Sequence, residues 1–231
     1  MKAVKTMSPK KIAAEKAVEC IQTGMTIGLG TGSTVYWAIH KIAQRIHEGL
    51  MIRAVATSNG SEQLAQQLGI PIVPFSEIGQ IDLTIDGADE VDAHFDLIKG
   101  GGGALLREKI IAANSKQFIV IIDESKQVDK LGRFPLPVEV VPFAAELTIR
   151  QIRDLGCTPK IRTTDGQTYK SDNGNLIIDC DFGEITQPAS LTARLNSIPG
   201  VVDNGLFVQM ASCLVVGYKD GTVKLEYMGV N

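Results

Sequence analysis

The sequence is poor in the residues that build metal centres, and poor in positive charge. Its 231 residues include four cysteines, three histidines and one tryptophan, and aromatics make up 5%. Cys20, Cys157, Cys180 and Cys213 lie far apart with no C-x-x-C pair, which leaves neither zinc-ligand spacing nor a disulfide framework, and buried free thiols are expected. Lys plus Arg number 23 against 26 Asp plus Glu, a net charge of −3 without the basic surplus that carries nucleic-acid binding. The longest mostly apolar stretches, 117–122 and 212–217, fall far short of the roughly 20 residues a membrane helix needs. Residues 1–11 are basic but run into an amphipathic segment with Glu15 and Glu19, not the apolar core of a signal peptide, so a cytoplasmic location is expected. What is present is an ordinary globular composition, 44% hydrophobic and 21% charged. A chain of this length buries roughly 70–75% of its unfolded surface and needs no disulfide or metal to be stable.

Glycine is plentiful, and it punctuates a regular alternation of helix and strand patterns. Ser8 and Pro9 supply a cap and a first-turn proline for a helix over 8–22, where Ile12, Ala14, Ala17, Val18 and Ile21 recur at helical spacing. An apolar strand over 25–30 runs into Gly30-Thr31-Gly32-Ser33-Thr34, after which Val35, Ala38, Ile39, Ile42 and Ile46 mark one face of a helix ending near Gly49. The cycle continues with strand 52–57, helix 61–68, strands 72–73, 81–85 and 96–99, helix 104–113 and strand 118–122. Such alternation builds a parallel α/β sheet, in which ligands bind outside the carboxyl ends of the strands. Loops 30–34, 57–61, 86–90 and 123–126 are polar, glycine-rich or charged, and are expected to converge there.

The composition shifts at the proline-punctuated stretch 132–137. Beyond it the patterns read strand 136–141, helix 144–155, strands 158–162 and 176–179, helix 189–198 and strand 201–208, the ferredoxin-like βαββαβ order. Segments 212–218 and 222–227 read as a hairpin returning to the first domain. The expected fold is therefore α/β: a Rossmann-like parallel sheet domain, 1–133 plus 209–231, with an inserted smaller ferredoxin-like α+β domain, 134–208.

Four stretches carry chemistry. Gly28-Leu-Gly30-Thr-Gly32-Ser33-Thr34 joins a strand to a helix, where backbone N–H groups, the helix dipole and the hydroxyls of Thr31, Ser33 and Thr34 suit a phosphate. A dinucleotide fingerprint would place glycine at Ser33 and an acid after strand 52–57, where Ser58 and Asn59 stand instead. In Asp86-Gly87-Ala88-Asp89-Glu90-Val91-Asp92, Asp86 closes a strand and Asp89 lies in the following turn. Turn capping explains a lone Asp-Gly, but four acids in seven residues exceed it. With His94 these acids match no calcium loop and supply one imidazole, so no metal is expected. Lys99 then enters Gly100-Gly101-Gly102-Gly103, whose entropy cost on ordering fits close backbone approach to a ligand better than a connector. Glu108, a turn into the next helix, has by itself the pattern of a solvated helix carboxylate. Lys126, after strand 118–122, offers a second cation for a phosphate.

In this order, the four stretches resemble type A ribose-5-phosphate isomerase of the pentose phosphate pathway. Further matching segments are Leu106-Arg-Glu-Lys-Ile110, Ser125-Lys126-Gln-Val, Phe134-Pro-Leu-Pro-Val-Glu-Val140, Asp172-Asn-Gly-Asn175 and Ile198-Pro-Gly-Val-Val202. Departures are mild: Gly103 where alanine is usual and Glu124 where a small residue is common. The resemblance implies metal- and cofactor-independent isomerisation of a sugar phosphate through an enediol(ate), by a homodimer or homotetramer. It implies Glu108 as general base, with Asp86, Asp89 and Lys99 as the other catalytic polar residues. Substrate binding would fall to Thr31, Gly32, Ser33, Thr34, Asp86, Gly87, Ala88, Asp89, Lys99, Gly100, Gly101, Gly102 and Lys126. Two other readings have similar folds. A sugar-phosphate sensor of the repressor type would need a DNA-binding helix pair where 24 residues precede the first strand, and a CoA-dependent transferase would need room for CoA.

Overall fold

The computed structural model describes residues 8–229, so residues 1–7 of the basic N-terminal stretch lie outside the described residues. The described residues form two compact units, one of 8–87, 110–127 and 210–229, the other of Ala88–Lys109 and Val128–Gln209.

The first unit is built on a six-stranded Rossmann-like sheet. From one edge its strands are Val223–Tyr227, Cys213–Gly217, Ser115–Asp123, Ile81–Asp86, Thr26–Leu29 and Arg53–Ala56. Neighbours pair in parallel except for the edge hairpin of Cys213–Gly217 with Val223–Tyr227. Thr26–Leu29 and Cys213–Gly217 are buried at every position, as parallel strands covered on both faces are. Helices Pro9–Val18 and Val35–His47 turn Ala14, Ala17, Ile39 and Ile42 into the core with Leu29, Ile85 and Val215. Ser58 caps helix Asn59–Gln67 by accepting the Ser61 N–H at 3.1 Å. The expected strand 72–73 is a single bridge between Ala54 and Ile72. All four cysteines are free; Cys157, Cys180 and Cys213 are buried, and burial pushes the Cys213 thiol up to about 11.

The second unit holds a four-stranded antiparallel sheet ordered Val201–Asn204, Leu136–Val140, Leu176–Asp181, Thr158–Ile161. In chain order these are the fourth, first, third and second strands, the ferredoxin-like arrangement. Helices Ala145–Arg153 and Pro188–Asn196 pack Ile149, Ile152, Leu191 and Leu195 against Val138, Val140 and Ile178.

Three further features differ from the pattern read in the sequence. The single strand expected over 201–208 is interrupted: after Asn204 the chain continues as Leu206–Phe207, which pairs with Leu97–Ile98 in a separate antiparallel sheet completed by Glu90–Val91. Gly205 permits the change of sheet, because a Cβ there would lie 2.2 Å from the Lys99 carbonyl oxygen. Segment 96–99 is consequently not part of the parallel sheet. Residues 88–109 and 128–133 also group with the second unit rather than with 1–87. The Val128 N–H donates to the Val91 carbonyl at 2.9 Å, while the buried Glu90 carboxylate accepts from the N–H groups of Gly132 and Phe134 at 2.8 and 2.6 Å. Finally, Thr163–Thr164 and Gln167–Thr168 form a small hairpin turned by Asp165 and Gly166, both at positive φ.

Candidate active site

In the first unit, parallel pairing brings the carboxyl ends of neighbouring strands to one edge, and three of the expected loops meet there. The Thr31 N–H donates to Asp86 Oδ1 at 3.0 Å, and the Gly87 N–H donates to the same oxygen at 2.7 Å. The Thr31 hydroxyl lies 2.7 Å from that of Thr57 and donates to Ser58 Oγ at 2.8 Å. Ser61 Oγ donates to the Gly30 carbonyl at 2.6 Å. Gly30 is required by this packing, since a Cβ would stand 2.2 Å from the carboxyl carbon of the fully buried Asp86. Beyond it Gly32, at φ +111°, and Ser33 are exposed, and Thr34 leads into helix Val35–His47. A residue that sequence reasoning missed lies here: Lys10 Nζ donates to Ser33 Oγ at 2.9 Å. No motif marks Lys10, because its partner is 23 residues away and reached only by packing of the first helix. Lys126 is half-buried in the 3-10 turn Glu124–Lys126 that follows strand Ser115–Asp123.

In the second unit the glycine run gathers three expected residues. Asp89 Oδ2 accepts the Gly101 N–H at 2.7 Å, and the Asp89 N–H donates to the Ile98 carbonyl at 2.8 Å. A Cβ on Gly101 would meet Asp89 Oδ1 at 2.6 Å, so glycine is what lets this carboxylate close on the backbone. Lys99 Nζ stands 3.3 Å from Glu108 Oε2, and 5.5 Å from the centroid of the Phe207 ring. With Lys99 at 2% exposure and Glu108 at 4%, this is a buried ion pair, not the solvated helix carboxylate that the isolated pattern suggests. Removing one member of such a pair strands the other, a cost of about 3–5 kcal/mol.

The neighbours of Glu108 on helix Leu105–Ala113 are fastened as well. Arg107 Nε donates to Asn173 Oδ1 and its Nη2 to the Asp172 carbonyl, each at 2.9 Å. Lys109 Nζ donates to Asp203 Oδ1 at 2.7 Å and to the Asn204 carbonyl at 2.6 Å. Burial holds Lys109 below the usual lysine range, with Asp203 offsetting part of the effect. Asp92 takes no part in this cluster: its Oδ1 accepts the N–H groups of His94 and Asp96 in a turn.

A hydroxyl- and glycine-rich loop at parallel-strand ends in one unit, and a carboxylate and an ammonium buried beside a glycine run in the other, mark an α/β enzyme. Comparison with known proteins makes the class particular. A sequence model of the family Ribose 5-phosphate isomerase A (phosphoriboisomerase A) matches residues 53–221. Ribose-5-phosphate isomerase A of Bacillus mycoides is 52% identical over 216 residues, covering 93% of this chain and 98% of that protein. The Sphingopyxis alaskensis protein of that name is 47% identical over 223 residues, covering 96% and 97%. The solved ribose 5-phosphate isomerase from Plasmodium falciparum matches with a TM-score of 0.91 at 40% identity, over 94% of this chain and 97% of that one. A solved D-ribose-5-phosphate isomerase in complex with phospho-erythronic acid gives the same values. The chain belongs to the ribose 5-phosphate isomerase A family.

Proposed function

We propose that this protein interconverts ribose 5-phosphate and ribulose 5-phosphate by moving a proton between C2 and C1 through an enediolate. The observation that carries the mechanism is the buried Lys99–Glu108 pair, 3.3 Å apart beside the glycine run. Glu108 takes the C2 proton and returns it to C1, and one carboxylate suffices because the two carbons are adjacent. The C1 carbonyl oxygen gains a proton as the C2 hydroxyl loses one, so no redox partner or cofactor is needed. Lys99 and the Gly102 N–H stabilise the oxygen on which charge develops. Asp86 and Asp89 complete the polar set. Phosphate recognition is assigned to Thr31, Gly32, Ser33 and Thr34 with Lys126, and Lys10 joins them through its contact with Ser33. The phospho-erythronic acid bound by a solved relative fits this reading, since a carboxylate has the flat, two-oxygen shape of an enediolate.

The test is an assay of the purified protein for ribulose 5-phosphate formed from ribose 5-phosphate, with and without a chelator. Turnover unaffected by the chelator is expected; a protein without turnover sinks the reading. A homodimer or homotetramer, joined through segment 134–208, accompanies this proposal, supported by Phe143 at 88% and Leu147 at 55% exposure in the second unit. A monomeric mass at micromolar concentration with full activity would refute it. A cytoplasmic setting suits four free thiols.

A further inference from the structure

We propose that Arg162, held by Asp179, is a positioning residue for the isomerisation: it sets the direction of the peptide groups in the Gly100–Gly102 run and, through them, of Asp89. The proposal rests on the isomerase reading above. Four consecutive glycines, Gly100 to Gly103, have little conformational preference of their own; the Gly103 N–H closes a turn on the Gly100 carbonyl at 2.9 Å, and the orientation of the peptide planes between them has to be set from outside. Arg162 supplies that hold. Its Nε donates to Asp179 Oδ2 at 3.0 Å and its Nη2 to Asp179 Oδ1, which locks the guanidinium plane. Nη1 is left to donate to two carbonyls at once, Gly100 at 2.8 Å and Gly101 at 3.0 Å.

In a trans peptide the N–H points away from the preceding C=O. Anchoring the Gly100 carbonyl on Arg162 therefore turns the Gly101 N–H to the opposite side, where it meets Asp89 Oδ2 at 2.7 Å. Anchoring the Gly101 carbonyl turns the Gly102 N–H the same way, so that the Gly101 N–H holds Asp89 while the Gly102 N–H is directed away from the guanidinium as a donor suited to a developing oxyanion. Tyr169 secures the next peptide, its hydroxyl donating to the Gly102 carbonyl at 3.2 Å. A Cβ on Gly103 would lie 2.3 Å from that hydroxyl, so glycine at this position makes room for Tyr169. A lysine in place of Arg162 keeps the charge but lacks the planar fork that reaches a carboxylate and two carbonyls together.

Arg162→Lys, Arg162→Ala and Asp179→Asn test the proposal, with kcat, KM and exchange of the C2 hydrogen measured on each. Misaligned donors are expected to lower kcat and exchange about 10–100-fold in the two Arg162 variants, and less in Asp179→Asn. KM should move less than about threefold, because the residues assigned to the phosphate lie in the first unit. Guanidinium at non-denaturing concentration should restore part of the Arg162→Ala activity, and methylammonium should not. A folded Arg162→Lys protein that turns over within about threefold of wild type overturns the proposal, as does a folded Arg162→Ala protein that guanidinium leaves unrepaired. If Arg162→Ala does not fold, Arg162→Lys decides. The wild-type assay separates the two claims: inactive wild type removes the isomerase reading and this proposal with it, whereas active wild type with unimpaired Arg162→Lys removes this proposal alone.

Discussion

The two units hold their functional loops by different means. In the first, the 30–34 loop is fixed by hydroxyls and backbone N–H groups around one carboxylate, Asp86, and the cation Lys10 stands at its periphery. In the second, the glycine run and residues 105–109 are fixed by ion pairs: Lys99 with Glu108, Arg162 with Asp179, Lys109 with Asp203. Under the proposed assignment the contrast has a physical basis. A phosphate carries its charge throughout the reaction, so fixed dipoles and cations serve it equally well in every state. An enediolate oxygen gains its charge only on the way to the transition state, and donors there are effective when locked beforehand. Locking a glycine run requires strong, directional partners.

The sharpest way to break this comparison is Glu108→Gln, which keeps the shape and removes the basicity. Loss of a general base costs about 10²–10⁴ in rate, or roughly 3–5.5 kcal/mol, so kcat should collapse while KM shifts modestly and exchange of the C2 hydrogen with solvent deuterium disappears. Turnover above about a tenth of wild type, a loss of at most ~1.4 kcal/mol, is too small for the sole base and would move the role to Asp86 or Asp89.

The first unit should answer in the other kinetic constant. Lys126→Ala removes a charge-assisted contact of about 1.5–3 kcal/mol, raising KM roughly 10–100-fold with kcat nearly kept. Lys10→Ala should act in the same direction. Unchanged KM in both variants would remove the cations from phosphate recognition.

Gly30→Ala probes the neutral packing of that loop. Its Cβ would press on the Asp86 carboxyl, and overpacking of this kind costs about 1–3 kcal/mol, visible as a lower denaturation midpoint. Gly60→Ala is the control: nothing lies within 4 Å of its Cβ, and in helix Asn59–Gln67 alanine should be neutral or stabilise by up to about 1 kcal/mol. Equal midpoints for the two variants would mean that Asp86 adjusts freely.

The smallest effect is expected from a charge outside both clusters. The Lys116 ammonium, at 2.7 Å, and then the Thr26 N–H, at 2.9 Å, hold the Asp82 carboxyl below its ordinary value. A carboxyl lowered in the folded state contributes stability above its unfolded pKa and loses it as pH falls through the folded one. Asp82→Asn should therefore cost at most about 1 kcal/mol at neutral pH, with the difference from wild type vanishing under acid. A difference that persists in acid would show that the contact is not ionic.

The helices and strands of the first unit were legible because each buries a face whose period is written in consecutive residues, as in Ile39 and Ile42 or in the continuous apolar run of Cys213–Gly217. The glycine and acid motifs were legible for a related reason, since their chemistry lies in neighbouring residues. Within 201–208 the Asn204-Gly205 dipeptide marks a break between two short apolar pairs, but nothing local says that the two halves join different sheets, because that depends only on their partners. The hairpin at Thr163–Thr164 and Gln167–Thr168 had a signal, Asp165-Gly166, but its exposed polar strands carry no apolar period.

The sequence by itself determined the α/β class and the ferredoxin-like order of the second sheet, since these follow from local periodicity, and it displayed the glycine- and acid-rich motifs, whereas Glu108 stood out only through the resemblance to the isomerase family. Only the tertiary structure decided that Glu108 is buried against Lys99, that Lys10 reaches Ser33, and that Arg162 grips the glycine run from 62 and 61 residues away. Pairing of distant side chains depends on where strands and helices come to rest, and burial, which turns a surface carboxylate into half of an ion pair, is a property of the packed chain and of no segment within it.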